Sequence, residues 1–517
     1  MASAAERYPD RAALRFEHHV VTYREFHRRS GDFARLLAER GVGADQRVAV
    51  MASNRPEFFT AVFGILELGA SAVMISSAWK QAETAHAVDL TEPVLAITDG
   101  DTHQRLPTPL ADRVLHLDDG PAVADLAVNQ GAVDQGDTAA LDPGGHPDWH
   151  PDWDTTEAVL MFSSGTTGLP KAVRHTHASL GAATVQWGSV LGLTPDDRFQ
   201  ITTPPFHILG LLNLLASVWA GSSVRLHPRF DLDAMLGAIE DDRITLEMAV
   251  APIALAMANH PNLEAYDLSS LRYIMWGATP VTESVARRVT ERTGVGFLPA
   301  YGASELPVIT SNPVHRPDWW RLDSPGMAVH DVDIRIAHLE TGAVLPPGEV
   351  GEIQARSPAM MAGYLPEEAN ADAFTDGWYR TGDVGWLEPD GWLHITDRVK
   401  EMIKVKGFQV APAEVEAVLL GHPAVVDCAV FGVPDPAAGE AVTAAVQLDA
   451  ATESTAAEAT VGELQALVAD TLASYKQLQS VHVVDAIPRL PSGKTLRREL
   501  KQRFGAPLSD RPEARPS

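Results

Sequence analysis

Apolar and polar positions alternate between two rhythms over most of the 517-residue chain. Short β-rich runs are followed by stretches of helical period. RVAVMAS (47–53) precedes PEFFTAVFGILELGA (56–70), and LRYIMWGATP (271–280) precedes VTESVARRVTERTG (281–294). In the second helical stretch Val281, Val285 and Val289 recur every four residues, the spacing of one helix face. Strand–helix alternation of this kind predicts parallel sheets with helices on both faces, an α/β fold. The most apolar long stretch, HILGLLNLLASVWAGSSV (207–224), is broken by Asn213, Ser217 and a serine pair. It is at the lower length limit for crossing a bilayer and is expected as a buried core helix.

Residues 99–155 break the rhythm. They are rich in Asp, Pro, Gly and His (DPGGHPDWHPDWD) without metal-ligand spacing, and read as an exposed connection. Around Asp397 the texture changes again. DRVKEMIKVKGFQV alternates like a hairpin, and APAEVEAVLLGHP starts a helix with Pro412 in its first turn. AVVDCAVFGV reads as a strand, and GELQALVADTL as a helix with Leu464, Leu467, Val468 and Leu472 on one face. The expected division is a large domain over 1–396, a small α+β domain over 397–504 and a disordered tail over 505–517.

Composition narrows the function classes. Lys and Arg number 41 against 68 Asp and Glu, a formal net charge of −27, and no basic stripe interrupts it. Nucleic acid and anionic lipid are therefore excluded as expected partners. The single cysteine, Cys428, forbids an internal disulfide. With neither an apolar leader core in MASAAERYPDRAAL nor a targeting tripeptide in the final ARPS, a cytoplasmic protein is expected.

The sharpest chemistry-bearing segment is FSSGTTGLPKAVRHTH (162–177), an apolar strand running into glycines and hydroxyls and then Lys171. Glycines let backbone N–H groups turn onto phosphate oxygens, hydroxyls add donors and lysine adds charge. It is not the common P-loop, because Leu169 and Pro170 separate the lysine from the second glycine.

SSGTTGLPK resembles the phosphate loop of the adenylate-forming enzymes, the superfamily of acyl-CoA synthetases, peptide-synthetase adenylation domains and beetle luciferases. PPFHILG (204–210), WGATP (276–280), YGASE (301–305), YRTGD (379–383), DRVKEMIKVKGFQVAPAEVE (397–416) and PRLPSGKTLRREL (488–500) follow in the family's order. The 397–416 stretch is especially similar to the 4-coumarate–CoA ligase branch. The resemblance implies a large N-terminal domain of layered sheets and helices with a small mobile C-terminal domain. It implies ATP, Mg²⁺ and coenzyme A as cofactors, and a carboxylic acid activated as its adenylate with pyrophosphate leaving.

Carried over residue by residue, Ser163, Ser164, Gly165, Thr166, Thr167 and Gly168 with Lys171 would hold the β- and γ-phosphates. Glu305, with Thr166, would ligate Mg²⁺. Tyr301, beside Gly302, would stack on adenine, with Gly277, Ala278 and Thr279 on the adenine-side loop. Asp383 would take the ribose hydroxyls, with Arg398 near them, and Ser304 would offer a hydroxyl beside Glu305. Lys494 would bridge carboxylate and α-phosphate, and His207 would sit beside the carboxylate pocket. Asp397 would be the pivot of a swing that presents Lys404, Gly407 and Gln409 to coenzyme A and acyl-adenylate. His175 and His177 are read as structural.

Several positions depart from the family pattern. Trp276 stands where serine or glycine is usual, and Leu298-Pro299-Ala300 replaces Gly-Gln-Gly before Tyr301. If Trp276 and Ala300 line the acyl tunnel, a compact acid is expected rather than a long fatty chain. The sequence leaves open transfer to a carrier protein, and adenylation of an unusual small acid such as nitrite with transfer to an amine.

Overall fold

The structure, a computed structural model, describes residues 1–118, 152–163, 170–277, 283–406, 408–435, 438–489 and 495–505. Two predominantly parallel sheets make up the first three hundred residues. In the seven-stranded sheet, Ser71–Met74, Arg47–Met51, Leu95–Thr98 and Val114–His116 run parallel with Glu157–Ser163. Lys171–Thr176 and Gly363–Leu365 extend one edge antiparallel. The nine-stranded sheet has a parallel centre of Phe297–Tyr301, Tyr273–Trp276, Leu246–Ala249, Arg198–Ile201, Ser223–Leu226 and Ala12–Phe16. The central strands are largely buried because helices cover both faces. Both expected strand–helix pairs form: Arg47–Met51 with the helix Pro56–Glu67, and Tyr273–Trp276 with the helix Glu283–Thr293. Val285 and Val289 are buried as the four-residue spacing requires, while Val281 lies outside the described residues.

The apolar stretch after His207 is the helix Ile208–Ala220, closed by Gly221 in the left-handed conformation and buried along most of its length. Among the described residues no helix is long and apolar enough to cross a membrane.

The reading of 99–155 as a connection needs correction at its start. Residues 102–105 form a 3₁₀ turn, Thr108–Ala111 a short helix, and Val114–His116 the edge strand of the seven-stranded sheet. Leu106, Leu110 and Leu115 are buried there, an apolar pattern too short to stand out among the surrounding polar residues. The Asp/Pro/Gly/His-rich part, 119–151, lies outside the described residues.

A six-stranded antiparallel sheet follows, ending in Trp378–Leu387 paired with Leu393–Arg398. The chain then enters a separate five-stranded sheet of Ile403–Val405, Phe408–Val410, Val425–Asp435, Gly439–Leu448 and Ser480–Val483. The expected hairpin is therefore only 403–410; Asp397 and Arg398 belong to the preceding sheet. Its loop begins at Lys406, a non-glycine residue with φ of 49°. The helices Pro412–Leu420 and Ala450–Thr471 pack on this sheet through Val415, Leu419, Leu464 and Val468, whereas Leu467 falls outside that core. Cys428 is buried within it, and burial raises its thiol well above the usual range.

Strand alternation assigns side chains of the nine-stranded sheet to two cores. Tyr273 and Met275 face the helices His177–Val190 and Ile208–Ala220. Ile274 and Trp276 face the opposite layer of helices Leu232–Asp241, Ala251–Asn259 and Glu283–Thr293. The Trp276 indole is 1 % exposed and packs edge-on to Phe297 with ring centres 5.4 Å apart. It is thus a packed core side chain and does not wall an open tunnel, the arrangement entertained from sequence.

One polar cluster interrupts this second core. Glu247, fully buried on Leu246–Ala249, accepts from the Gln200 amide, whose oxygen is 2.8 Å from His227 Nε2. Burial pushes the Glu247 carboxyl up to about 8.

Candidate active site

The hairpin of Glu157–Ser163 and Lys171–Thr176 places Ser163 directly opposite Lys171, at the mouth of the connecting loop. Ser164, Gly165, Thr166, Thr167 and Gly168 lie in that loop, outside the described residues. The other edge of Lys171–Thr176 pairs with Gly363–Leu365, setting Tyr364 opposite Val173. This register carries the Tyr364 ring under the Lys171 ammonium, 5.0 Å from the ring centre.

Tyr364 turns its hydroxyl toward the next part of the site. It donates to Glu305 Oε1 at 2.6 Å. Glu305 is 8 % exposed, and its backbone oxygen accepts from Met361 N at 2.8 Å. Its other carboxylate oxygen, Oε2, carries no protein partner among the described residues. The turn that delivers Glu305 from Tyr301 is tight enough to require glycine at 302, where a Cβ would lie 2.0 Å from the Pro307 carbonyl oxygen. His175 supports the same turn, its Nε2 lying 2.7 Å from the Ser304 carbonyl. Burial lowers that imidazole to about 4, so it stays neutral and structural, as read from sequence.

Tyr301 donates to Asp383 Oδ2 at 2.5 Å, and Arg398 Nε lies 3.0 Å from Asp383 Oδ1. Trp378–Leu387 and Leu393–Arg398 place Asp383 and Arg398 directly opposite one another. The pair raises Arg398 above the usual guanidinium range, chiefly through the Asp383 charge. Burial and Asp383 push the Tyr301 hydroxyl well up. Tyr379 is 4 % exposed beside these groups, its hydroxyl raised by burial and then by Glu305. Both Asp383 oxygens are engaged, yet each keeps a second lone pair for a hydroxyl donor.

Four of the carried-over residues, Tyr301, Glu305, Asp383 and Arg398, therefore join one cluster, with Lys171 tied to it through Tyr364. Sequence reasoning missed Tyr364 and Tyr379, because a tyrosine in a strand is ordinarily read as packing. Ala300 precedes Tyr301 on the same strand, and Gly277 follows Trp276 where an added Cβ would lie 3.9 Å from the Ala300 carbonyl oxygen. His207 caps the start of Ile208–Ala220 without a side-chain capping bond, and burial lowers its imidazole, keeping it neutral. Ala278, Thr279, Gly407 and Lys494 lie outside the described residues, as does the Gln409 side chain. Lys404 is exposed on the small sheet, its backbone N–H donating to Glu440 at 2.7 Å.

The donor set suits Mg²⁺. Among the described residues no three His, Cys, Asp or Glu side chains converge as a metal cage. Mg²⁺ characteristically keeps its waters and takes one or two carboxylates with substrate phosphates, which a single available Glu305 oxygen provides for.

Asp397 lies at the junction of the two parts of the molecule. Its carboxylate accepts from Arg398 N at 2.7 Å and from Ala413 N at 2.9 Å, in the first turn of Pro412–Leu420. Burial pushes this carboxyl up to about 6, against the favourable charge of Arg497.

Lys171, Tyr364 and Glu305 thus lie beside the Tyr301–Asp383–Arg398 group, on layered parallel sheets whose family match gives the class of the protein. The chain belongs to the AMP-binding enzyme family: residues 1–365 match its main domain and residues 414–494 its C-terminal domain. Feruloyl-CoA synthase of Amycolatopsis sp is 34% identical over 505 residues, 97% of this chain and 97% of that one. 4-coumarate–CoA ligase 2 of Oryza sativa subsp. japonica is 36% identical over 495 residues, 92% of this chain and 86% of that one. ATP-bound MatB from Rhodopseudomonas palustris superposes with a TM-score of 0.86 at 26% identity, covering 97% and 98% of the two chains. The chain is accordingly an AMP-forming acid ligase of the acyl-CoA synthetase type.

Proposed function

We propose that this enzyme activates a compact carboxylic acid, aromatic or short, as its acyl-adenylate and passes the acyl group to coenzyme A. The observation that carries the reading is the joining of Glu305, Tyr364 and Lys171 beside Tyr301, Asp383 and Arg398. The relatives named for feruloyl- and 4-coumaroyl-CoA formation support an aromatic acid.

A carboxylate is a poor electrophile, so it is first joined to AMP: its oxygen attacks the α-phosphorus and pyrophosphate leaves. Asp383 accepts from the ribose hydroxyls while Tyr301 and Arg398 hold its carboxylate in place. Lys171 faces the departing phosphates with the loop 163–168, and Lys494 bridges the reacting oxygens. Glu305, with Thr166 in that loop, holds Mg²⁺, which neutralises phosphate charge when bound. Ser304 adds a hydroxyl beside it, and neutral His207 flanks the acid. The part beyond Asp397 then turns, so that Lys404, Gly407 and Gln409 serve the thiol that attacks the acyl carbon and displaces AMP.

The test is pyrophosphate release across benzoates, cinnamates, short acyl acids and nitrite, with and without coenzyme A. Release with a small aromatic acid, followed by thioester only when coenzyme A is present, supports the proposal. Release with nitrite alone, or product without coenzyme A, replaces it.

A further inference from the structure

Lys171, at the start of its strand, and Glu305, in the turn after Tyr301, carry opposite charges in one site, yet no ion pair joins them among the described residues. What stands between them is Tyr364, 8 % exposed, with its ring face to the ammonium and its hydroxyl on the carboxylate. The side chain is held from behind as well as in front. Asn370 accepts from the Tyr364 backbone N–H at 2.7 Å and donates to its carbonyl at 3.3 Å. Gly363 leaves room for that clamp: a Cβ there, at φ of +144°, would meet Asn370 Oδ1 at 3.0 Å. The same short segment reaches Glu305 a second time, through Met361 N to its backbone oxygen at 2.8 Å.

We infer that Tyr364 is a positioning residue that separates the phosphate-binding lysine from the metal-binding glutamate and fixes the spacing between them. This rests on the proposed roles of Lys171 and Glu305. A direct ion pair would satisfy both groups and withdraw each from its ligand. The phenol prevents this in two ways. Its face attracts the ammonium weakly enough to leave it available to phosphate. Its hydroxyl occupies Glu305 Oε1 with a charge-assisted hydrogen bond, leaving Oε2 for the metal.

The experiment reads metal binding directly, by Mn²⁺ paramagnetic resonance on the enzyme saturated with a non-hydrolysable ATP analogue. Mg²⁺ titrations of pyrophosphate release accompany it. Tyr364→Phe keeps the ring but removes the hydroxyl. It should weaken Mn²⁺ binding about tenfold, the worth of one hydrogen bond to an ionised group, while high Mg²⁺ restores kcat. The affinity for the ATP analogue at saturating metal should hold. Tyr364→Leu removes the spacer as well, so both metal and nucleotide affinity should fall. In a Glu305→Gln background, Tyr364→Phe should add nothing to the metal defect.

Thermal melts of each variant verify folding, and the Phe variant keeps the test informative if the Leu variant is unstable. If Glu305→Gln weakens Mn²⁺ binding and Tyr364→Phe does not, the spacer role is wrong while the site reading stands. If Glu305→Gln leaves Mn²⁺ binding unchanged, the metal role of Glu305 falls and the inference falls with it.

Discussion

Trp276 is the largest fully buried side chain among the described residues, and truncating it tests packing and specificity together. Trp276→Gly removes a whole indole from a core in which it packs edge-on to Phe297. A loss of about 3–5 kcal/mol is expected for such a deletion, read as a lowered melting temperature. Because the indole packs against the helix layer and walls no tunnel, the activity profile across a ring-size and chain-length series of acids should be unchanged. A size profile shifted toward bulkier acids would mean that the indole also borders the acid. Glu247 makes a separate prediction from pH. Its carboxyl is raised from 4.5 to about 8 by burial, so the folded chain holds a proton there that the unfolded chain releases. The associated stability is complete below pH 4.5 and is lost as pH rises through about 8, at roughly 1.4 kcal/mol per pH unit between. Glu247→Gln cannot ionise. Its melting temperature should gain on the parent's steadily from pH 5 to pH 8, and parallel curves would show that Glu247 is not protonated in the fold.

At the scale of elements, the strand Leu393–Arg398 and the helix Pro412–Leu420 meet at one carboxylate. Asp397→Pro fixes φ near −65° at the proposed pivot and removes the acceptor that Ala413 uses. Among the described residues Asp397 is paired across the sheet with Val384 alone, an edge setting in which sheets tolerate proline. Pyrophosphate release should be largely kept, while transfer to the final acceptor slows severely. Unimpaired transfer would locate the pivot elsewhere. The long strand–helix pairs were legible in sequence because their apolar spacing repeats over several turns or a full strand. The 102–116 elements were not, since the whole stretch offers only three buried leucines, Leu106, Leu110 and Leu115. Leu467 shows the complementary failure: periodicity names a face, but the sheet beneath it covers only Leu464 and Val468 fully.

For the molecule as a whole, the site was legible where function rests on ordered motifs and opaque where it rests on contacts between them. Glu305, Asp383, Arg398 and Lys171 stand in recognisable strings, whereas Tyr364 serves the site only because an antiparallel edge strand returns from residue 363 to pair with residue 174. Separation of the two half-reactions is the molecular-scale prediction. Lys494→Ala should reduce adenylate formation by about 10²-fold or more, the usual effect of removing a group that stabilises developing charge. Thioester formation from supplied acyl-adenylate should survive, and equal loss in both assays would mean that the two steps share one arrangement of the domains. That rearrangement can be watched directly, because Cys428 is the chain's single thiol and is 3 % exposed in the small sheet's core. Maleimide reagents should pass it by in the folded enzyme. One cysteine introduced at Val344, 60% exposed, and another at exposed Asp470 would then take a donor–acceptor dye pair without first stripping the native background, turning each half-reaction into a change of distance.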